Sequence, residues 1–88
     1  MKKVTIYSTT HCGYCRSAKY VLENEEIPYT EIDVTNDDAK RQWLVQVTGH
    51  RTVPQIFIGE QPIGGYTELC QLIMNKQLRP ILESGSNS

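Results

Sequence analysis

Two cysteines separated by two residues, Cys12 and Cys15, carry the most distinctive chemistry of this sequence. A thiolate attacks disulfides, and a second thiol one helical turn away is close enough to attack the mixed disulfide so formed. The pattern places Cys12 at the start of a helix, where unpaired backbone N–H groups and the helix dipole stabilise a thiolate. Arg16 and Lys19 add positive charge nearby. We therefore predict that Cys12 is the attacking thiol and Cys15 the resolving thiol.

The cysteine pair also suggests half of a zinc site, because zinc takes four ligands. The other ligands would come from His11 or His50 and from Cys70, but no second close pair occurs at ligand spacing. The β-α-β context favours the redox interpretation, so no metal site is predicted. His11 is either a loop residue or a base for Cys12, and His50 is expected to be a solvated loop residue. Cys70 is either a small buried hydrophobe, or a second redox switch or part of a regulatory disulfide.

Composition restricts the class of protein. The chain of 88 residues corresponds to one domain. Its net charge of −1 and pI of about 6.1 argue against a nucleic-acid binder, and no apolar run approaches the ~18 residues of a membrane span. Three cysteines do not form the even set of a secreted disulfide framework, and the N-terminus lacks the apolar core of a signal peptide. We predict a cytoplasmic protein that binds neither nucleic acid nor membrane.

Hydrophobic periodicity predicts elements in the order β-α-β-α-β-β-α. The predicted strands are residues 3–8, 29–34, 52–59 and 62–63, and the predicted helices are residues 13–25, 35–48 and 66–78. Thr35, three residues before Asp38, resembles a capping box at the start of the second helix. Ile81 and Leu82 are expected to pack back as a last turn.

The connections between these elements predict their arrangement. A helical crossover between the first two strands implies a parallel pair, and the short link at 59–62 implies an antiparallel pair. Together they predict an α/β protein of thioredoxin-like architecture, with a four-stranded mixed sheet and helices on both faces.

Three motifs together resemble one known family. They are Cys12-Gly13-Tyr14-Cys15, Thr52-Val53-Pro54 and Gly64-Gly65-Tyr66-Thr67-Glu68, in this order and at the spacing of glutaredoxins. The chain is accordingly identified as a member of the dithiol glutaredoxins, with the domain at residues 1–83 and a disordered tail at 84–88. The resemblance implies a glutathione-dependent thiol–disulfide oxidoreductase with a redox-active disulfide between Cys12 and Cys15. Its partners are then glutathione and proteins that carry a disulfide or a bound glutathione, and we expect a monomer.

The resemblance also implies a groove that binds glutathione. The implied groove residues are Tyr14, Arg51, Thr52, Val53, Pro54, Gly65, Tyr66, Thr67 and Glu68. The proline of the second motif is cis in the family, and the Val53 backbone pairs with the glutathione cysteine like an added strand. The resemblance assigns the N–H groups of Thr67 and Glu68 to the γ-glutamyl carboxylate. From their charge, we expect Glu68 to pair with the ammonium group and Arg51 to bind the glycyl carboxylate.

Each of these assignments has a structural alternative. Tyr14 either shields the thiol or simply covers the helix start. The Thr52-Val53-Pro54 motif either faces the ligand or merely opens a strand. Glu68 is also an ordinary first-turn acid that the helix dipole favours, and Arg51 is also a solvated loop charge.

Three positions depart from the family pattern. Gly13 replaces the usual proline of the cysteine motif, Thr9 replaces a lysine found in many members, and Glu68 replaces an aspartate. The missing lysine leaves the glycyl carboxylate without its usual partner. Gly13 removes the preset backbone angle that proline brings to a helix start.

The absence of the motif proline suggests a second possible function, the binding and delivery of an iron–sulfur cluster. Some glutaredoxins without this proline hold the cluster between two subunits, with the first motif cysteine of each, here Cys12, and two glutathiones as ligands. Gly13 leaves this alternative open although it is not the default expectation, and Cys15 keeps the dithiol route intact. A third alternative, an electron donor reduced by a dedicated reductase as in thioredoxin, is disfavoured by the glutathione-type motifs.

Overall fold

The computed structural model describes residues 1–84, which form a four-stranded sheet packed by helices on both faces. The elements are β1 Val4–Ser8, α1 Gly13–Asn24, β2 Thr30–Asp33, α2 Asp38–Thr48, β3 Gln55–Ile58, β4 Gln61–Gly64, α3 Tyr66–Met74 and α4 Leu78–Glu83. The strand order is β2-β1-β3-β4, with β1 and β2 parallel and the other pairs antiparallel. The predicted mixed sheet is therefore confirmed. Among the helices of residues 1–84, none is both long and apolar enough to cross a membrane.

Alternating side chains of the strands build a core on each face of the sheet, as strand geometry requires. On one face, Ile6 and Ile56 pack with apolar residues of α1, α3 and α4, among them the buried Leu22 and Leu82. On the opposite face, Leu44 of α2 covers a smaller cluster that contains aromatic side chains of β1 and β3. The larger core therefore fixes α1 and α3 on the same face of the sheet.

The topology brings three segments of the chain to one edge of the sheet. Both β1 and β4 are antiparallel to β3, so their C-terminal ends lie at the edge where β3 begins. α1 follows β1, α3 follows β4, and the Thr52-Val53-Pro54 segment precedes β3. The three sequence motifs are therefore neighbours in the fold, with the N-terminal ends of both helices at this edge.

The start of α2 differs from the prediction. Asp37 is the N-cap, and its side chain accepts a hydrogen bond from the backbone N–H of Lys40 at 3.0 Å. The Thr35 hydroxyl instead accepts the backbone N–H of Thr10 at 2.8 Å, which ties the loop after β1 to the loop after β2. The capping box predicted at Thr35 is therefore wrong, because a tertiary contact uses this hydroxyl.

The C-terminal helices also differ in extent from the prediction. α3 ends at Met74 instead of continuing to Leu78. A separate short helix, α4, follows where a single last turn is predicted, and its Leu78 and Leu82 are buried. Of the predicted tail at 84–88, only Ser84 is described, as the C-cap of α4, and the rest lies outside the described residues.

Candidate active site

Cys12 is the N-cap of α1, with an extended backbone conformation. Its sulfur accepts the backbone N–H of Cys15 at 3.2 Å, a capping contact that a serine or aspartate oxygen usually makes. The side chain is half-buried and lies at the positive end of the helix dipole. Hydrogen-bond donors and positive potential around a partly exposed sulfur are the usual environment of reactive cysteines.

The segment before β3 forms the second side of the site. Thr52, Val53 and Pro54 precede the strand and do not open it, because β3 begins at Gln55. The peptide bond between Val53 and Pro54 is cis, in agreement with the family pattern. The Val53 carbonyl oxygen lies 3.5 Å from Cys12 Sγ and accepts a hydrogen bond from the thiol. This loop therefore presents a backbone carbonyl beside the half-buried sulfur.

The buried side chain of Gln55 holds this loop in place. Its amide nitrogen donates to the Thr52 carbonyl at 2.8 Å, and the residue is 3% exposed. Its amide oxygen has no hydrogen-bond partner among the described residues. The sequence prediction missed Gln55, although one polar residue beside the apolar run of a buried strand is a signal that could have found it.

The second motif cysteine, Cys15, is 1% exposed on the core side of α1. Burial raises the pKa of its thiol to about 12, and the neighbouring Cys12 adds to this rise through a hydrogen bond and its charge. Two groups act in the opposite direction on this pKa, a backbone hydrogen bond from Thr9 and the positive charge of Lys19. In the resting dithiol, Cys15 is therefore protonated at neutral pH.

We expect an alkylating reagent at pH 7 to modify Cys12 and to leave Cys15 unmodified in the folded protein. The thiolate is the reactive form. Because the Cys15 thiol is buried and has a pKa of about 12, it is neither ionised nor accessible at pH 7. Iodoacetamide labelling followed by peptide mass spectrometry measures each cysteine separately, and the half-buried Cys70 is an internal reference. Labelling of Cys15 should rise only at strongly alkaline pH or in urea. Equal labelling of both motif cysteines at pH 7 would contradict this account.

A groove of about 650 Å³ runs from α1 past the loop before β3 to the start of α3. Eight of the nine predicted groove residues line it: Tyr14, Thr52, Val53, Pro54, Gly65, Tyr66, Thr67 and Glu68. The structure therefore brings residues from three distant motifs into one concave surface. Arg51 is exposed and does not line the groove, whereas the neighbouring His50 does.

The groove also has lining residues that the prediction omitted, and all of them except Gly64 lie outside the three motifs. They are Thr48, His50, Gln55, Pro62, Ile63 and Gly64. The sequence carries no local signal for His50, because the direction of a loop side chain depends on tertiary packing. The other histidine, His11, is exposed in the turn before α1, and no hydrogen bond joins it to Cys12 in the described part of the chain. Within residues 1–84, no group of three or more His, Cys, Asp or Glu side chains is placed to hold a metal ion.

The two glycines before α3 permit a close approach of backbone and side chains at the groove wall. Gly64 has φ +112°, and a Cβ there would lie 2.6 Å from Glu68 Cγ. At Gly65, a Cβ would lie 3.1 Å from the Pro54 carbonyl oxygen. Glu68 Oε1 accepts the Gly65 N–H at 2.7 Å, so this acid caps the helix, as the dipole alternative predicts. The first-turn N–H groups of α3, including that of Thr67, have no helical acceptor.

Two tyrosines connect the helices across the groove wall. The rings of Tyr14 and Tyr66 lie 5.9 Å apart in a tilted arrangement, and Tyr14 is 67% exposed. The neighbouring thiol of Cys70 raises the pKa of Tyr66. Cys70 is half-buried and takes part in this side-chain pair, which the sequence prediction did not include.

A partly exposed thiol and a buried thiol one helical turn apart, at the edge of a thioredoxin-like sheet, define the class of thiol–disulfide oxidoreductases. Comparisons with known proteins narrow this class. The family model described as Glutaredoxin matches residues 4–63. Glutaredoxin 3 of Escherichia coli (strain K12) is 37% identical over 83 residues, which are 94% of this chain and 100% of that protein. The chain belongs to the glutaredoxin family and is a thiol–disulfide oxidoreductase.

Solved structures of glutaredoxins share the fold. The crystal structure of the buckwheat glutaredoxin–glutathione complex matches with a TM-score of 0.86 and 33% identity, covering 92% of this chain and 76% of that chain. The solution structure of glutaredoxin from Brucella melitensis matches with a TM-score of 0.86 and 34% identity, covering 98% and 94%. These matches confirm the predicted thioredoxin-like fold.

Proposed function

We propose that this glutaredoxin uses glutathione as its co-substrate and reduces protein–glutathione mixed disulfides and protein disulfides. The observation that carries the proposal is the 3.5 Å contact between Cys12 Sγ and the carbonyl of Val53, a residue that lines the groove. A tripeptide in this groove would have its sulfur beside Cys12. The similarity to a glutaredoxin solved in complex with glutathione supports this choice of ligand.

In the first step, the Cys12 thiolate attacks the glutathione sulfur of a protein–glutathione mixed disulfide. A bond forms between these two sulfurs, the bond to the substrate sulfur breaks, and the released thiolate takes up a proton from solvent. The backbone N–H of Cys15 orients the attacking sulfur through its 3.2 Å contact. Glutathione is then covalently bound to Cys12.

The second step differs between the two kinds of substrate. A second glutathione thiolate attacks the disulfide between Cys12 and glutathione, which restores the Cys12 thiolate and releases oxidised glutathione. When the substrate is a protein disulfide, Cys12 first attacks one of its two sulfurs, and the other sulfur leaves as a thiolate. Cys15 then attacks Cys12 Sγ, the bond between Cys12 and the substrate breaks, and the reduced substrate leaves. Two glutathiones then reduce the disulfide between Cys12 and Cys15.

We propose that glutathione lies along the groove between the loop before β3 and the start of α3. Its cysteine backbone pairs with the N–H and C=O groups of Val53 like an added strand. The γ-glutamyl carboxylate meets the first-turn N–H groups of Thr67 and Glu68, at the positive end of the α3 dipole. The Glu68 carboxylate, bonded to Gly65 N–H through Oε1, keeps its other oxygen for the ammonium group.

Two mixed disulfides of one peptide test this function. In one sample the peptide cysteine forms a mixed disulfide with glutathione. In the other sample the same cysteine forms a mixed disulfide with 2-mercaptoethanol, which has neither carboxylates nor an ammonium group. With glutathione, glutathione reductase and NADPH as the reducing system, we expect faster turnover of the glutathione form, mainly through a lower KM. Equal kcat/KM for the two peptides would contradict the groove assignment.

We propose that Arg51 supplies the cation for the glycyl carboxylate, since Thr9 stands where many relatives have lysine. Arg51 is exposed and lies between His50 and Thr52, which both line the groove. Arg51→Ala should weaken glutathione binding several-fold, because an exposed ion pair contributes about 1 kcal/mol or less. Arg16→Ala is the matched control, because Arg16 borders a separate shallow depression with Gly13.

Glutathione titration of both variants at low and high salt measures this effect. The loss in Arg51→Ala should diminish as salt screens the pair. If Arg51→Ala bound glutathione with unchanged affinity, Arg51 would be a solvated residue without a role in binding. His50 would then be the next candidate for the partner of the glycyl carboxylate.

The iron–sulfur alternative requires ligands from more than one copy of this chain. A two-iron cluster takes four ligands, and Cys12 is the half-buried motif thiol while Cys15 is fully buried. Cys12 of two subunits and two glutathiones would complete the set. The open position at Gly13, where a Cβ would meet only Arg16 Nη2 at 3.8 Å, favours this second candidate. A brown protein with visible absorbance after anaerobic purification with glutathione would support it.

A further inference from the structure

Three polar side chains from three elements meet beneath α1, and one of them, Lys19, acts on the buried thiol of Cys15. Ser8 Oγ donates to Glu31 Oε2 at 2.6 Å, and Lys19 Nζ lies 2.9 Å from the same oxygen. Lys19 is four residues after Cys15, so the two side chains lie on the same side of α1. We refer to Lys19, Glu31 and Ser8 as the polar cluster.

The polar cluster is placed by the register of the sheet. β1 and β2 pair in parallel with Ile6 opposite Glu31, so Glu31 and Ser8 lie on the face of the sheet that α1 covers. Ser8 is 1% exposed, while the side chains of Lys19 and Glu31 are 26% and 36% exposed. An ion pair with this exposure contributes little to stability. The contribution of this ion pair to stability therefore does not explain why two charged residues lie at this place.

The neighbouring thiol has to ionise during turnover. Burial raises the pKa of Cys15, Cys12 raises it further, and the Thr9 backbone and Lys19 lower it. Once Cys12 is part of a mixed disulfide, it no longer carries a thiolate that opposes ionisation of Cys15. The pKa of Cys15 is then set by burial, which raises it, and by the Thr9 backbone and Lys19, which lower it.

We propose that the polar cluster controls the resolving step electrostatically: Lys19 stabilises the Cys15 thiolate, and Glu31 limits how much of the lysine charge acts on it. This inference rests on the dithiol mechanism proposed above. In that step Cys15 loses its proton to solvent and attacks Cys12 Sγ. The sulfur–sulfur bond to the substrate breaks, and the substrate thiolate takes up a proton. Lys19 acts through Cys15 and not on the substrate, so it is a positioning residue.

Two further titratable groups lie on elements next to α1, Asp33 on β2 and Tyr66 on α3, and both keep their charge state through neutral pH. Hydrogen bonds from Thr35 lower the pKa of Asp33, and the contact with Cys70 raises the pKa of Tyr66. Hydrogen bonds from Ser8 and Lys19 likewise lower the pKa of Glu31, which stays ionised. The pH profile of the resolving step therefore reports on Cys15.

A disulfide probe that contains no glutathione separates the two thiols. Attack of Cys12 on 5,5′-dithiobis(2-nitrobenzoate) releases one coloured thiolate, and ring closure by Cys15 releases the second. Cys70→Ser is included in every variant so that only the motif thiols react. Adding Cys15→Ser removes the second phase and identifies it. A protein that failed to use glutathione would still show both phases, so failure of the proposed co-substrate and failure of this inference are distinguishable.

Lys19→Met should slow the second phase about three- to tenfold at pH 7 and slow the first phase by a clearly smaller factor. A rise of one pKa unit makes the thiolate about tenfold scarcer, and the more basic thiolate is about threefold more reactive. The net slowing is therefore about threefold per unit, and loss of a nearby opposite charge shifts a pKa by about one unit or more. The pH profile should move to higher pH, and Lys19→Arg should restore it. Lys40→Met, which removes a lysine packed on Trp43 at the other face of the sheet, is the control.

Glu31→Gln separates this electrostatic effect from a loss of structure. Both Lys19→Met and Glu31→Gln break the same 2.9 Å ion pair, so a structural role predicts slower ring closure in both. The electrostatic role predicts the opposite sign for Glu31→Gln, with ring closure faster than in the parent protein at pH 7. An unchanged second phase in Lys19→Met, or a slower one in Glu31→Gln, would overturn the proposal. Equal slowing of both phases in Lys19→Met would overturn it as well.

Discussion

Replacing Cys12 with serine is expected to reduce thiol–disulfide exchange to the uncatalysed background for every substrate. The sulfur at the N-cap of α1 is the half-buried motif thiol, and it receives the Cys15 N–H at 3.2 Å. A serine hydroxyl can keep this capping contact, so the helix should still form. Its oxygen is not ionised at neutral pH and cannot form a disulfide. Turnover of a glutathionylated peptide measures the activity, and urea unfolding checks the fold.

Cys15→Ser should behave differently and retain turnover of glutathione mixed disulfides while losing that of protein disulfides. A second glutathione can resolve the intermediate on Cys12, whereas a protein mixed disulfide depends on the thiol one turn away. Because the site is buried, an unpaired serine hydroxyl costs about 1–3 kcal/mol, so Cys15→Ala is a useful companion. If folded Cys15→Ser and Cys15→Ala both lost all activity on glutathionylated peptide, the division of roles would be wrong.

The fold was predictable because the sequence patterns that determine it involve residues close together in the chain. Strand alternation, helical periodicity and the lengths of the connections were sufficient for the mixed sheet, which the β1–β2 and β1–β3 pairings confirm. The errors lie where several residues compete for one local role. Thr35 and Asp37 both offer an oxygen for the start of α2, and a contact from Thr10, 25 residues away, engages Thr35. Such a contact is visible only after β1 and β2 have paired.

The candidate site was predictable to the extent that its motifs carry chemical meaning on their own. The cysteine pair indicates thiol exchange through spacing alone, and the glycine pair before α3 indicates close backbone approach. It was not predictable that His50 lines the groove while Arg51 is exposed beside it, because the placement of loop side chains depends on tertiary packing. The contact between Ser8 and Glu31 also escaped prediction, because it depends on the register of two strands joined by a helix.

Gly64→Ala is expected to destabilise the fold by about 3 kcal/mol or more and to impair glutathione turnover. At φ +112° an alanine is strained. Its Cβ would lie 2.6 Å from Glu68 Cγ and 2.8 Å from Glu68 Cβ, so the start of α3 must move. Overpacking of this kind costs about 1–3 kcal/mol in addition to the backbone strain. The groove wall moves with α3, so KM for the glutathionylated peptide should rise in whatever fraction remains folded.

Gly49→Ala is the matched control for this prediction, because it isolates the backbone strain. Gly49 ends α2 at φ +76°, and a Cβ there would meet no atom within 4 Å. Its replacement should cost about 1–2 kcal/mol, the usual penalty for a left-handed residue with a Cβ, and should leave KM unchanged. Urea unfolding of both variants compares the two costs, and Glu68→Ala in the Gly64→Ala background should recover part of the loss, since it removes the Cγ contact. Equal destabilisation of the two glycine variants would mean that α3 accommodates the added methyl group, and that the close packing of Gly64 against Glu68 does not hold the groove wall in place.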